Sequence, residues 1–250
     1  MTVPRLIVLP DARRAAQRLA EDAVRFLRTR DRAETHIAVS GGSLARLAVP
    51  ALLDGLAAEA ERGGKGRRLN VWFADERFVP ADHPERNELA VRSALPDGAP
   101  SALRLHPAPP SDAGLGLEAA AAAYAQRLAS LVPAGPSGLP RLDLVLLGAG
   151  PDGHTASLFP GRPEVLDAEA LALPVRDSPK PPPERITLGA GVLRAANGAW
   201  VLAGGAEKAP ALALGLSGAS ATDSPVGSIL AEDTRWYLDE AAAAALPRSR

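Results

Sequence analysis

Leu142-Asp143-Leu144-Val145-Leu146-Leu147 runs directly into Gly148-Ala149-Gly150-Pro151-Asp152-Gly153-His154. The first six residues form a short, strongly apolar run, bounded upstream by the turn-forming stretch Gly135 to Pro140 and downstream by glycines. That pattern reads as a buried strand stopped by a sharp bend. A strand apolar on both faces requires layers above and below it, which is the arrangement of a parallel sheet covered by helices.

Working outward, further apolar runs at 6–9, 36–39, 69–74, 171–175, 199–203 and 235–238 read as strands. Between them, helical spacing predicts helices over 12–29, 44–61, 85–95, 116–132, 188–196 and 206–216. Residues 63–66, 96–114 and 178–183 read as loops, because Gly and Pro dominate them. Strands that alternate with helices along the chain predict an α/β fold: an open, mostly parallel sheet flanked by helices on both faces, in a single domain spanning 1–250. Ligands in such sheets bind beyond the carboxyl ends of the strands, where 40–43, 75–77 and 148–154 fall.

Composition narrows the classes of function. The net charge is −1, so no global field favours nucleic acid or an anionic membrane. Cysteine is absent, which removes disulfides, thiolate nucleophiles and Cys-based zinc sites. No apolar run approaches the ~20 residues that span a bilayer. Met1-Thr2-Val3-Pro4-Arg5 lacks a secretory pattern, so a cytoplasmic protein is expected. Only three lysines occur, Lys65, Lys180 and Lys208, among 28 Lys and Arg, which makes each worth inspection.

Four segments carry possible chemistry. Ser40-Gly41-Gly42-Ser43 joins a strand to a helix; its glycines let backbone N–H groups approach an anion, or it is a plain turn with Ser43 as N-cap. Asp75-Glu76-Arg77, with His83 and Asn87 behind, follows a buried strand; Arg77 could serve a carbonyl oxygen or a phosphate, or form a surface ion pair. Residues 148–153 match G-x-G-x-x-G, but Pro160 comes too soon for a dinucleotide crossover helix. His154 beside Asp152 suits a general base with a carboxylate that fixes its tautomer; a loop histidine bonded to backbone is the alternative. Lys180, Arg185 with Thr187, and Lys208 after Gly204-Gly205 form a late cationic set, suited to a bound anion or simply solvated. No His/carboxylate spacing suggests a metal.

Together these motifs resemble the 6-phosphogluconolactonase family, in a wider superfamily that includes glucosamine-6-phosphate deaminases. The resemblance spans roughly residues 3–240 and rests on Ser40 to Ser43, Trp72 to Pro80, Gly148 to Gly161, Pro183 to Thr187 and Gly205 to Lys208. The stretch Asp152 to Gly161 is the most specific, since deaminases carry a different version. The resemblance implies hydrolysis of 6-phospho-D-glucono-1,5-lactone in the oxidative pentose phosphate pathway, without cofactor, metal or covalent intermediate, on a small-molecule sugar phosphate and with no nucleic-acid or membrane partner. A monomer is expected, with a dimer as the alternative. The family's base maps onto His154, oriented by Asp152. Arg77 would stabilise the oxyanion, and Asp75 would orient Arg77 or bind a sugar hydroxyl. Asn87 falls to substrate binding. The phosphate would sit on Ser40, Gly41, Gly42 and Ser43, with Arg185 and Lys208. One departure is Arg86, where the lactonases often have serine; Arg86 either replaces that serine contact or leaves it absent. An amino-sugar-phosphate deaminase, a sugar-phosphate sensor and a nicotinamide enzyme are the rival readings.

Overall fold

The structure, a computed structural model, describes residues 4–30, 32–62, 68–95 and 103–246. The loop expected at 63–66, with Lys65, lies outside them. The chain forms β1 (Arg5–Leu9), α1 (Ala12–Arg28), β2 (Glu34–Val39), α2 (Gly42–Leu47), α3 (Val49–Arg62) and β3 (Arg68–Phe73). Next come β4 (Asp75–Arg77), α4 (Asn87–Ser93), β5 (Leu103–His106), α5 (Leu117–Leu131) and β6 (Leu144–Gly148). The last part holds β7 (Ala172–Val175), β8 (Arg185–Leu188), α6 (Ala190–Ala195), β9 (Gly198–Ala203), α7 (Ala209–Leu216), α8 (Pro225–Ser228) and β10 (Asp233–Asp239).

Seven strands make one parallel sheet in the order β1-β10-β9-β6-β2-β3-β5. The decisive run explains itself in section. Leu144 and Leu146 face α1, α2 and α3, whereas Val145 and Leu147 face the layer built on α5, α6 and α7. Successive side chains of a strand point to opposite faces, so a strand covered on both sides must be apolar throughout. Each fully buried Leu or Val contributes about 1.5–3 kcal/mol relative to exposure. Helix α1 shows the complementary pattern. Ala15, Ala16, Leu19, Ala20, Ala23 and Leu27 are buried at helical spacing, and Asp11 caps the first turn by accepting from the Arg14 N–H at 2.8 Å.

Several expectations needed correction. The helix expected over 44–61 is two helices, α2 and α3, separated at Ala48. Pro50 explains the break: it lacks an N–H, and its ring clashes with the carbonyl four residues back in a continuous helix. The loop expected at 96–114 contains the edge strand β5. Asp75–Arg77 and Arg185–Leu188 are both strands, and with β7 they make a separate antiparallel sheet, ordered β4-β8-β7. The segment 206–216 opens with a 3-10 turn over Ala206–Lys208, so Lys208 occupies the N-cap position of α7.

The chain leaves β2 toward β3 and β5, and leaves β6 toward β9 and β10. The carboxyl ends of β2 and β6 therefore flank the point where the winding reverses, and open sheets bind ligands in that crevice.

Candidate active site

After β2 the chain turns at Ser40, whose N–H donates to the Leu146 carbonyl at 2.9 Å and so ties this turn to β6. Gly41 has no room for a side chain, because a Cβ there would lie 1.9 Å from Asn87 Oδ1. Helix α2 starts at Gly42 with Gly41 as its N-cap, so Ser43 is not the cap that the turn reading allowed. The Ser40 hydroxyl is buried without a protein partner among the described residues. Buried polar groups are nearly always paired, so this hydroxyl is a free donor at the cleft.

After β6 the chain folds back on itself: Gly150 N–H donates to the His154 carbonyl at 2.9 Å, and Gly153 N–H to the Gly150 carbonyl at 3.1 Å. No crossover helix follows, as the early Pro160 requires. Gly153 has φ 84°, the left-handed conformation that glycine tolerates. The bend brings His154 Nδ1 to 2.5 Å from Asp152 Oδ1. With Nδ1–H donated to Asp152, the basic nitrogen is Nε2. The imidazole also packs on Phe159, centroid to centroid 4.8 Å. Burial pushes the Asp152 carboxyl up, but the hydrogen bond with His154 and the charges of His154 and Lys180 outweigh it and hold the group at about 2.

Gly150 is what leaves room for this pair. A Cβ there would lie 2.0 Å from His154 Nδ1 and 2.4 Å from Asp152 Oδ1. Gly150→Ala therefore displaces the two side chains while the sheet stays intact. A misplacement near 1 Å costs about 10²-fold in rate. The expected result is that loss in kcat with unchanged near-UV circular dichroism; full activity would mean the pair's position is immaterial.

The small sheet delivers the second group. Arg77 on β4 lies directly opposite Arg185 on β8. Arg77 Nη1 donates to the Glu85 carbonyl at 3.2 Å and to Asn87 Oδ1, while its Nε is buried without a partner among the described residues. Arg185 donates to the carbonyls of Lys180 (2.9 Å), Pro182 (3.2 Å) and Pro181 (3.3 Å). Burial pushes the Arg185 guanidinium down, and Arg77 adds to that, against the pull of Asp75. Like charges opposite each other on a sheet repel, and a bound anion would relieve that repulsion. Lys208 is half-buried with no salt bridge among the described residues; burial pushes its ammonium down.

Among the described residues no hydrogen bond or ion pair joins Asp75 to Arg77. Asp75 Oδ2 accepts from Ser157 Oγ at 2.8 Å, so that part of the sequence reading is corrected. Asn87 is buried and is not among the residues that line the cleft. Its Nδ2 donates to the Asp75 carbonyl at 2.7 Å, its Oδ1 holds Arg77, and its N–H donates to Glu76 Oε1 at 2.7 Å. Its part is to fix Arg77. Arg86 does not replace a substrate serine: it is buried, reaching the Ala108 carbonyl at 2.8 Å and Glu88 at 3.1 Å.

Ser40, Gly41, Gly42, Ser43, Asp75 and Arg77 line one open cleft together with His154, Arg185 and Lys208. His36 and His106 lie elsewhere, buried around Trp72, on which His106 stacks at 4.3 Å. Among the described residues no group of three His, Asp or Glu side chains is arranged to hold a metal ion. No helix among them is long and apolar enough to cross a membrane.

The family described as glucosamine-6-phosphate isomerases/6-phosphogluconolactonase matches residues 10–238. The chain belongs to that family. A 6-phosphogluconolactonase of Streptomyces coelicolor is 48% identical over 187 residues, covering 73% of this chain and 72% of the relative. The 6-phosphogluconolactonase of Rattus norvegicus is 37% identical over 237 residues, covering 91% and 86%. Among solved structures, a 6-phosphogluconolactonase from Trypanosoma brucei superposes with a TM-score of 0.82 at 29% identity, covering 98% of this chain and all 100% of that one.

Two residues that support the site were given no role in the sequence reading. Ser157 sits inside the most specific motif, yet nothing in its spacing shows that it bridges Asp75 and Arg185, at 2.8 and 3.5 Å. Glu76 did leave a signal. On a strand it must point away from Asp75 and Arg77, and it does, into α4. There its carboxylate accepts the N–H groups of Arg77, Asn87 and Glu88 at 2.7–2.8 Å. Burial pushes it up to about 6 against these bonds and Arg86.

Proposed function

We propose that this chain hydrolyses 6-phospho-D-glucono-1,5-lactone to 6-phospho-D-gluconate, the ring-opening step of the oxidative pentose phosphate pathway. One observation carries the reading: His154, hydrogen-bonded to Asp152, lines the same cleft as Arg77, Arg185 and Lys208. Water attacks C1 of the lactone, and His154 Nε2 takes its proton. Asp152 steadies the imidazolium that forms. Arg77 donates to the developing oxyanion, a contribution worth roughly 3 kcal/mol in comparable sites. The tetrahedral intermediate collapses, the ring oxygen leaves, and the imidazolium returns the proton to it. A lactone carbonyl is already electrophilic, so this route needs neither a metal nor a covalent intermediate. Asp75, held by Ser157, offers its second oxygen to a sugar hydroxyl. The phosphate sits at the Ser40–Ser43 turn, paired with Arg185 and Lys208.

The test uses freshly generated lactone, with spontaneous hydrolysis subtracted. The phosphorylated lactone should turn over far faster than gluconolactone, and Lys208→Ala should raise KM for the phosphorylated substrate more than it lowers kcat. Absence of acceleration by folded protein would remove the lactonase reading; unchanged KM in Lys208→Ala would remove the phosphate assignment.

A further inference from the structure

Lys180 has no part in the mechanism above, yet its ammonium lies 3.4 Å from His154 Nδ1 and 3.9 Å from Asp152 Oδ1. It is half-exposed and reaches the pair from the loop that leads into β8. That loop hangs on Arg185, whose guanidinium holds the carbonyl of Lys180 itself and of the two prolines after it. The same guanidinium lines the cleft and stands over the ring of Phe159, 5.7 Å from its centroid, with the His154 imidazole also against that ring. Lys180 also acts electrostatically on Lys208, lowering its proton affinity. One side chain thus touches the base and communicates with both cations proposed to hold the phosphate.

We propose that Lys180 is a positioning residue that couples occupation of the anion site to the basicity of His154. The proposal rests on the lactonase reading and extends it. In the empty cleft the imidazole sits between the Asp152 carboxylate, which favours a second proton on the ring, and the Lys180 ammonium, which opposes it. The other charges around the cleft are Asp75, Arg77, Arg185 and Lys208. A phosphate dianion on Arg185 and Lys208 offsets the field of Lys180 and draws its loop through Arg185. The opposition weakens, and His154 becomes a stronger base when the phosphorylated substrate is bound. Gluconolactone, with no dianion, leaves the base in its weaker state.

The experiment compares the pH dependence of kcat/KM in wild type, Lys180→Met and Lys180→Arg. The substrate's own phosphate titrates identically in all three, so differences belong to the protein. Removing the positive charge should move the acid limb up by about one pH unit, and arginine should restore it. In a second arm, inorganic phosphite is added to gluconolactone: it should accelerate the wild type and not Lys180→Met. An unmoved limb with phosphite activation intact in Lys180→Met overturns the proposal. A raised KM with an unmoved limb does so too, since Lys180 would then be a plain anion contact. A wild type that does not accelerate the phosphorylated lactone at all removes the underlying reaction, an outcome distinct from both.

Discussion

Replacing His154 by alanine is expected to lower kcat for the phosphorylated lactone by about 10²–10⁴-fold, the range of a positioned general base, while KM changes little. The anion contacts proposed for the substrate come from Arg185 and Lys208, and neither is hydrogen-bonded to the imidazole. Folding should survive. Loss of the ring leaves Asp152 with Lys180 at 3.9 Å, so the carboxylate keeps a cationic neighbour. Asp152 also fixes what the pH profile can contain. Its carboxyl falls from 3.8 to about 2 in the folded chain, so its stabilising contact is complete above 3.8 and is lost as pH falls through about 2. Across any practical assay range Asp152 is a constant negative charge, and it adds no limb of its own. Initial rates with spontaneous hydrolysis subtracted decide the matter. Wild-type turnover in His154→Ala, with an unchanged melting temperature, would mean that water is activated elsewhere.

The parts of this chain that were readable from sequence are those where a single period controls burial. Strand β6 is apolar at every position because it is covered on both faces, and α1 buries one stripe of alanines and leucines. The winding order could then be inferred from alternation alone. Strand β8 was hidden for a physical reason. Arg185-Ile186-Thr187-Leu188 is short, begins with a charge and follows three prolines, and its pairing with β4 is non-local. Likewise, nothing in the spacing of 44–61 marks the division into α2 and α3 except Pro50. In the site, the turns at strand ends were legible because glycine and charge interrupt an apolar run there. The Asp152–His154 contact was not guaranteed by a two-residue separation; it depends on the left-handed Gly153 and the bare Cα of Gly150. The place of Asn87, buried beside Arg77, was not legible for a related reason. Its partner space is created by the missing side chain of Gly41, far away in sequence.

Arg77→Lys is expected to lose about 10²–10³-fold in kcat, the cost of removing one oxyanion donor, although it conserves the positive charge. The guanidinium is used at both ends. Nη1 is committed to the Glu85 carbonyl and to Asn87, and this fixes the plane in which the unpartnered Nε lies. A lysine has one nitrogen and no such fork, so it cannot remain on Asn87 and also reach an oxyanion. The field of the site changes little, because Arg185 stays opposite on β8 and retains its own carbonyl partners. KM should therefore move far less than kcat, which separates an interaction made in the transition state from uniform binding. Stability should fall by only about 1 kcal/mol, since Asn87 loses one partner and keeps the Asp75 carbonyl. If Arg77→Lys kept nearly full kcat, the contribution of Arg77 would be charge alone rather than that of a fixed oxyanion donor.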